Sequence, residues 1–223
     1  MKRLVITIDG PAASGKGSLS KKISEEFNFF YMETGIYYRG FASLFYQNQL
    51  SILDLSSFIS NLNITYFKEY ILHNSKELYS TKVTKLASNL AKNKEIRTFI
   101  VKIQQDMIIS LDKKFHGIIL EGRDCGSVVA PKADLKFYLT ASLKVRAERR
   151  FNQFVKDKKD ISYAKVLSDL KERDVQDKNR KHSPLQKPKG AVVIDNSDYN
   201  FEETINIVKN IIFSRIPTLK NKN

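Results

Sequence analysis

The sequence predicts an α/β fold in which a parallel sheet is covered by helices on both faces, and three observations predict it. A β-branched apolar run, Leu4-Val5-Ile6-Thr7-Ile8, leads straight into a Gly/Pro/Ser-rich stretch from Asp9 to Ser18. Leu19, Ile23 and Phe27 then recur at i, i+4 and i+8, the spacing of one face of a helix beginning near Gly15. Three further near-continuous apolar runs, Gly117 to Glu121, Asp134 to Thr140 and Ala191 to Asp195, end in polar or acidic residues with helical stretches around them. Strands buried on both faces read as continuous apolar runs, which is why these indicate a parallel sheet.

In chain order, the first unit is strand, glycine loop and helix. Helical spacing follows over residues 34–47 and 83–113, then over 142–156 and 161–175, and Phe201, Ile205, Val208 and Ile212 mark a final helix. The region from about Asn61 to Leu78 breaks the rhythm. Its short segments Ile64-Thr65-Tyr66-Phe67 and Tyr70-Ile71-Leu72-His73 predict small antiparallel strands, and hence an insert. The Lys/Asn-rich tail after Pro217 is expected to fray.

With 223 residues the chain is long enough for one compact domain with a substantial core, and two independent domains are not expected. No run approaches the roughly 18 apolar residues of a membrane span, and Met1 to Ile8 has no signal-peptide character, so a cytoplasmic address is expected. Cys125 is the single cysteine, which excludes an intrachain disulfide. His73, His116 and His182 are too scattered for a metal cluster, so any metal should arrive with the substrate. The net charge of +14 suits either a nucleic-acid binder or an enzyme for anionic substrates. Lysines are spread along the chain without a basic arm, whereas most of the ten arginines sit in loop or helix-start contexts beside acids and glycines. Guanidinium groups so placed favour phosphate recognition.

Gly10-Pro11-Ala12-Ala13-Ser14-Gly15-Lys16 matches G-x-x-x-x-G-K after a strand and before a helix, the setting this phosphate loop requires. Glycines permit the turn, backbone N–H groups and the helix N-terminus face the phosphates, and Lys16 reaches the β- and γ-phosphates. Gly17 follows the lysine, so the hydroxyl comes from Ser18. That variant resembles nucleoside-monophosphate kinases. Further on, Glu33-Thr34-Gly35-Ile36-Tyr37-Tyr38-Arg39 places a hydroxyl, a helix-start glycine and an arginine within about a turn and a half, a cluster suited to a monophosphate. Glu121-Gly122-Arg123-Asp124 closes the second of the four predicted strands with charge at the carboxyl edge of the sheet, where open α/β folds bind ligands.

The segments Ile8 to Ser18, Glu33 to Gly40, Glu121 to Ser142 and Lys171 to Leu185 together resemble the bacterial cytidylate kinase family, with the likeness running from Ile6 to about Ile212. The resemblance implies a P-loop nucleoside-monophosphate-kinase-like three-layer fold in a single domain, 1–223, with ATP and CMP or dCMP as substrates and Mg²⁺ arriving with ATP. It implies a core (about 1–33, 114–145 and 174–216), an acceptor-binding region with the insert (about 34–113) and a short helical lid (about 146–173). Thr34, Arg39, Ser88, Arg97, Arg123, Asp124, Arg173, Asp177 and Arg180 stand where the family surrounds CMP. Arg39 and Arg97 suit the monophosphate oxygens, Ser88, Arg123 and Asp124 the cytosine edge, and Asp177 and Arg180 the ribose hydroxyls. Val145 to Arg150 resembles the start of the mobile lid, with Arg146 on the adenine and Arg149 or Arg150 on the transferring phosphoryl group. The chain departs from the family at Thr34 (commonly Ser), Cys125 (commonly aliphatic) and Tyr79, which stands where an Arg is usual.

On this reading Lys16, Arg123, Asp124, Arg149 and Arg150 carry the transfer, and the attacking phosphate is already anionic, so no general base is required. Other acceptors on the same scaffold, such as UMP, dCMP or AMP, form the nearest alternative. A nucleic-acid-binding P-loop protein with an ATP switch is the alternative from another class, and it lacks both a basic run and an aromatic base-stacking motif. A monomer without a specific nucleic-acid or membrane partner is expected.

Overall fold

The structure is a computed structural model, and it describes residues 3–158 and 160–222. Five strands, β1 (Leu4–Asp9), β2 (Phe29–Glu33), β3 (Gly117–Gly122), β4 (Leu135–Thr140) and β5 (Val192–Asp195), form one sheet in the order β2-β3-β1-β4-β5. β1 runs parallel to β3 and β4, and β4 parallel to β5. Every residue of β3 is buried, which explains the continuous apolar run Gly117-Ile118-Ile119-Leu120. The edge strand β2 escapes the sequence reading. Its five residues, FFYME, lead directly into a helix cap and lack a β-branched run.

The chain divides into two compact units, residues Met1–Met32 with Leu111–Asn223, and residues Glu33–Ser110. In the first unit, α1 (Lys16–Glu26) and α9 (Phe201–Arg215) pack on the sheet, bringing Leu19 and Ile23 together with Ile6, Phe137 and Val208. Burial of such side chains is worth about 1.5–3 kcal/mol each and is the main force holding this layer. α9 begins with a capping box in which Asn200 and Glu203 satisfy each other's backbone N–H groups. The tail expected to fray instead forms a short 3₁₀ segment, Pro217–Lys222, and Leu219 is only 3% exposed against this core. A second apolar cluster joins the glycine loop to the helix pair α7 (Leu143–Lys156) and α8 (Tyr163–Asn179), with Ala12 packed among Ala147, Val166 and Leu170.

The second unit is helical throughout its described elements: α2 (Thr34–Gln47), α3 (Leu55–Asn61), α4 (Ile64–His73), α5 (Thr81–Leu90) and α6 (Lys94–Ile109), with short 3₁₀ turns at Ile52–Asp54 and Glu77–Tyr79. The antiparallel strands expected between Ile64 and His73 are therefore corrected to one α-helix. Asn63 caps it by accepting from the Tyr66 N–H, and Phe67 and Ile71, one turn apart, are its buried residues. A Cβ on Gly40 would lie 2.5 Å from Ile71 Cγ1, so this glycine lets α4 approach α2 closely. Tertiary packing overrides the β preference of the local residues. The helical stretch expected over 83–113 is broken at Asn93, whose side chain caps α6 through the Glu95 and Ile96 N–H groups.

Candidate active site

The glycine loop leaves β1 at Asp9 and returns to helix at Lys16 through three positive φ angles, at Gly10 (156°), Ala13 (59°) and Gly15 (91°). Gly10 is required sterically, because an added Cβ would sit 2.0 Å from the Leu139 carbonyl oxygen of the neighbouring strand. Gly10→Ala is expected to cost about 2 kcal/mol or more, lowering the thermal midpoint by roughly 5 °C. An unchanged melting curve would contradict this close approach. Ser14 is fully buried in the loop, and its hydroxyl has no hydrogen-bond partner among the described residues. An unpaired buried hydroxyl is costly, and the described residues supply no partner for this one.

Lys16 is 4% exposed and folds back over the loop, donating to the Pro11 carbonyl at 2.8 Å, with Glu121 Oε1 at 3.5 Å. Burial, followed by the charge of Arg123, pushes its ammonium down to about 7, against the opposing pull of Glu121. A group so poised gains charge stabilisation when a polyphosphate enters. The Tyr31 hydroxyl donates to the other Glu121 oxygen at 3.4 Å and helps hold this carboxylate.

At the end of β3, Arg123 donates through Nε to Asp177 Oδ2 at 2.9 Å. Arg180 lies 3.8 Å from Asp177 and 3.9 Å from Asp124. Burial raises the Asp177 carboxyl, but Arg123, Arg173 and Arg180 outweigh it and leave the group below the usual carboxylate range. Arg123, Asp124, Arg173, Asp177 and Arg180 thus form one charge network with Lys16 in the first unit. Such a network fixes guanidinium groups in place without neutralising all of them, as anion recognition requires.

The three helix α7 arginines lie differently. Arg146, 5% exposed, donates through Nε to Ala141 O, through NH1 to Ala12 O and through NH2 to Asp174 at 2.7 Å. It braces the glycine loop through the Ala12 carbonyl. Arg149 donates to the side-chain and main-chain oxygens of Asn196, and Asn196 in turn donates to the Ser14 carbonyl at 3.1 Å. Arg150 lies along its own helix, bonded to Gln153 with its guanidinium 4.4 Å from the Phe154 ring centroid.

In the second unit, Thr34 starts α2 and its carbonyl accepts from Gln104 at 3.1 Å. Arg39 pairs with Glu33 at 2.7 Å and lies 4.6 Å from the centroid of the Tyr79 ring. The Tyr79 hydroxyl also donates to Glu33. Tyr79 therefore supports Arg39 by cation–π contact and through a shared carboxylate. Arg97 is buried on α6, donates to Ala91 O at 3.1 Å and faces the Tyr38 ring at 5.2 Å, and Ser88 is half-buried on α5.

Sequence reasoning missed Asp9, Tyr31, Asp174 and Asn196. Asp9 and Asn196 had a usable signal, each being a short polar side chain placed at the end of an apolar strand run. Tyr31 and Asp174 had none.

Known proteins resemble this chain along nearly its whole length. A family profile described as Cytidylate kinase matches residues 6–214. A cytidylate kinase of Bartonella tribocorum is 38% identical over 214 residues, covering 95% of each chain. A Fusobacterium nucleatum protein of the same name is 36% identical over 216 residues, covering 93% of this chain and 96% of its own. A Thermus thermophilus protein of solved structure shares the fold at 12% identity, with a TM-score of 0.53 over 97% of this chain and 99% of that one. With a glycine loop, a buried lysine and an arginine–carboxylate network where the motifs place them, and with the likeness running nearly end to end, the chain belongs to the cytidylate kinase family.

Proposed function

We propose that this chain transfers the γ-phosphoryl group of ATP to CMP, and to dCMP, giving ADP and CDP or dCDP. The observation that carries the reading is Lys16, a buried ammonium held at the glycine loop within the field of Arg123, in a chain whose relatives are named for this activity. Residues Gly10 to Ser18 would cradle the triphosphate, with the orphaned Ser14 hydroxyl and Lys16 as its polar contacts. Thr34, Arg39, Ser88 and Arg97 are the contacts proposed for the 33–110 unit, and Arg123, Asp124, Arg173, Asp177 and Arg180 those of the other. The segment about 146–173 is proposed as the lid. Arg149, bonded to Asn196, or Arg150, beside Phe154, is the arginine proposed for the transferring phosphoryl group.

Chemically, an anionic oxygen of the CMP phosphate attacks the γ-phosphorus in line, forming one P–O bond as the bond to the β,γ-bridging oxygen breaks. The electron pair leaves on ADP. Lys16 and Arg123 stabilise the charge spread over the equatorial and leaving oxygens, and Glu121 beside Lys16 and Asp177 bonded to Arg123 orient these cations instead of taking a proton. The exposed Ser18 hydroxyl in the first turn of α1 is the hard oxygen donor that would hold Mg²⁺ arriving with ATP, and the ion would supply neutralisation of phosphate charge. No group of three or more His, Cys, Asp or Glu among the described residues is arranged to hold a metal.

A coupled assay with ATP and each of CMP, dCMP, UMP and AMP tests the proposal. Turnover confined to another monophosphate would replace the acceptor, and none at all would overturn the reaction. A cytoplasmic monomer belongs to the same proposal; no helix among the described residues is long and apolar enough to cross a membrane. DNA or RNA should bind only weakly and lose that binding steeply with salt, as diffuse lysine charge dictates. Tight, structure-selective binding at physiological ionic strength in a filter assay would favour the ATP-switch reading.

A further inference from the structure

Asp9 is fully buried at the carboxyl end of β1, one residue before the glycine loop, and takes no part in the reaction as proposed. Both of its carboxylate oxygens are used. One accepts from the Cys125 N–H and the other from the Gly126 N–H, each at 2.8 Å, across 116 and 117 residues of chain. Those amides open the π-turn Cys125–Val129, which follows Arg123 and Asp124 directly. The first N–H groups of such a turn have no partner within it, so a carboxylate in front of them supplies both.

We propose that Asp9 is a positioning residue that ties the Arg123–Asp124 segment to the start of the phosphate loop, and that it does so only as the carboxylate. A protonated or amide side chain offers one good acceptor where two donors converge. One buried N–H is then orphaned, and the turn that carries Arg123 and Asp124 loosens. The surroundings make this sensitive to pH. Burial raises the Asp9 carboxyl to about 6, the two N–H groups oppose that shift, and the neighbouring Asp124 charge adds to it. The Cys125 thiol also bonds to it, and Tyr138 stands opposite it on β4. The folded-state value lies above that of the unfolded chain, so the carboxylate contact is complete above about pH 6 and is lost as pH falls through it.

The kinetic arm of the test rests on the proposed transfer reaction; the spectroscopic arm does not. In ¹⁵N–¹H spectra of the ligand-free protein, the Cys125 and Gly126 amides should move together with a midpoint of about 6. Asp9→Asn should abolish that movement, and Asp124→Asn should keep it with a lower midpoint, because the Asp124 charge helps to raise the Asp9 carboxyl. Asp9→Asn should also lower kcat about ten-fold with both KM values changed far less, the pattern of lost positioning. If Asp9→Asn fails to fold, wild type decides: kcat at saturating CMP must fall in step with the two amides. An acid limb from the substrate's own second ionisation, also near pH 6, is separated by repeating the profile with the thiophosphate analogue, whose ionisation lies lower. Only a limb that stays in place belongs to Asp9. Amides that do not titrate, amides that titrate unchanged in Asp9→Asn, or an active Asp9→Asn enzyme with wild-type kcat would each overturn the inference. A wild-type protein without kinase activity would overturn the reaction instead, while the amides still report on Asp9.

Discussion

Lys16→Ala is expected to abolish measurable transfer, lowering kcat by about a hundred- to a thousand-fold while leaving the fold intact. Loss of one well-placed charge aimed at a transition state has this scale, because the developing charge on the leaving oxygens loses its partner and water does not replace it. The same substitution should change how stability depends on pH. In the folded protein burial holds the lysine at about 7, whereas in the unfolded chain it returns to 10.5. Between these values the unfolded state binds the proton more tightly, so wild-type stability rises with pH across that window. Below about pH 7 the penalty of burying the ammonium is fully present. Lys16→Ala should remove this rise. Because a polyphosphate favours the charged lysine, ATP binding to wild type at pH 8 should take up a proton, seen as a calorimetric enthalpy that varies with the buffer. Coupled kinetics, circular dichroism and calorimetry check the three statements. Near-normal turnover in a folded variant would remove the phosphate-loop assignment.

Asp124→Asn is expected to cut kcat/KM for CMP sharply and to narrow the CMP:UMP preference by about ten-fold or more. Cytosine and uracil differ at one exocyclic position, an amino donor against a carbonyl acceptor. A carboxylate there accepts from CMP and opposes UMP, whereas an amide can donate to the UMP carbonyl. Asp124 is buried, with Arg180 3.9 Å away, so its orientation is supported and water competes poorly for it. Steady-state kinetics with both monophosphates decides the matter. If both substrates fall by one factor, Asp124 acts through the Arg180 network, and base selection lies elsewhere.

The sequence alone determined what is local in the chain. The strand, glycine loop and helix of residues 4–26 are consecutive, and the loop demands glycine where φ is positive or a carbonyl crowds Cα, so motif and conformation coincide at Gly10 and Gly15. The runs of β1, β3, β4 and β5 were legible because each carries a short concentrated apolar stretch, continuous and wholly buried in β3 and alternating in burial along β4. Arg123 and Asp124 were legible as candidate site residues because they close one of these runs at its carboxyl end. Legibility failed where packing outvoted local preference: β2 is a short aromatic edge strand, and Ile64–His73 became a helix once Gly40 admitted Ile71.

Only the tertiary structure decided which partner each polar side chain takes. Sheet order places β3 and β4 on either side of β1, so Asp9 meets amides 116 and 117 residues away. Asn196, just beyond β5, meets Ser14 at a separation of 182 residues. The arginines of α7 read alike in sequence, but helix geometry directs them differently: Arg146 inward to Ala12 and Asp174, Arg149 to Asn196, and Arg150 along the helix surface. A buried donor or acceptor must find a partner, and strand adjacency and helix facing, which no sequence spacing encodes, determine which one lies within reach.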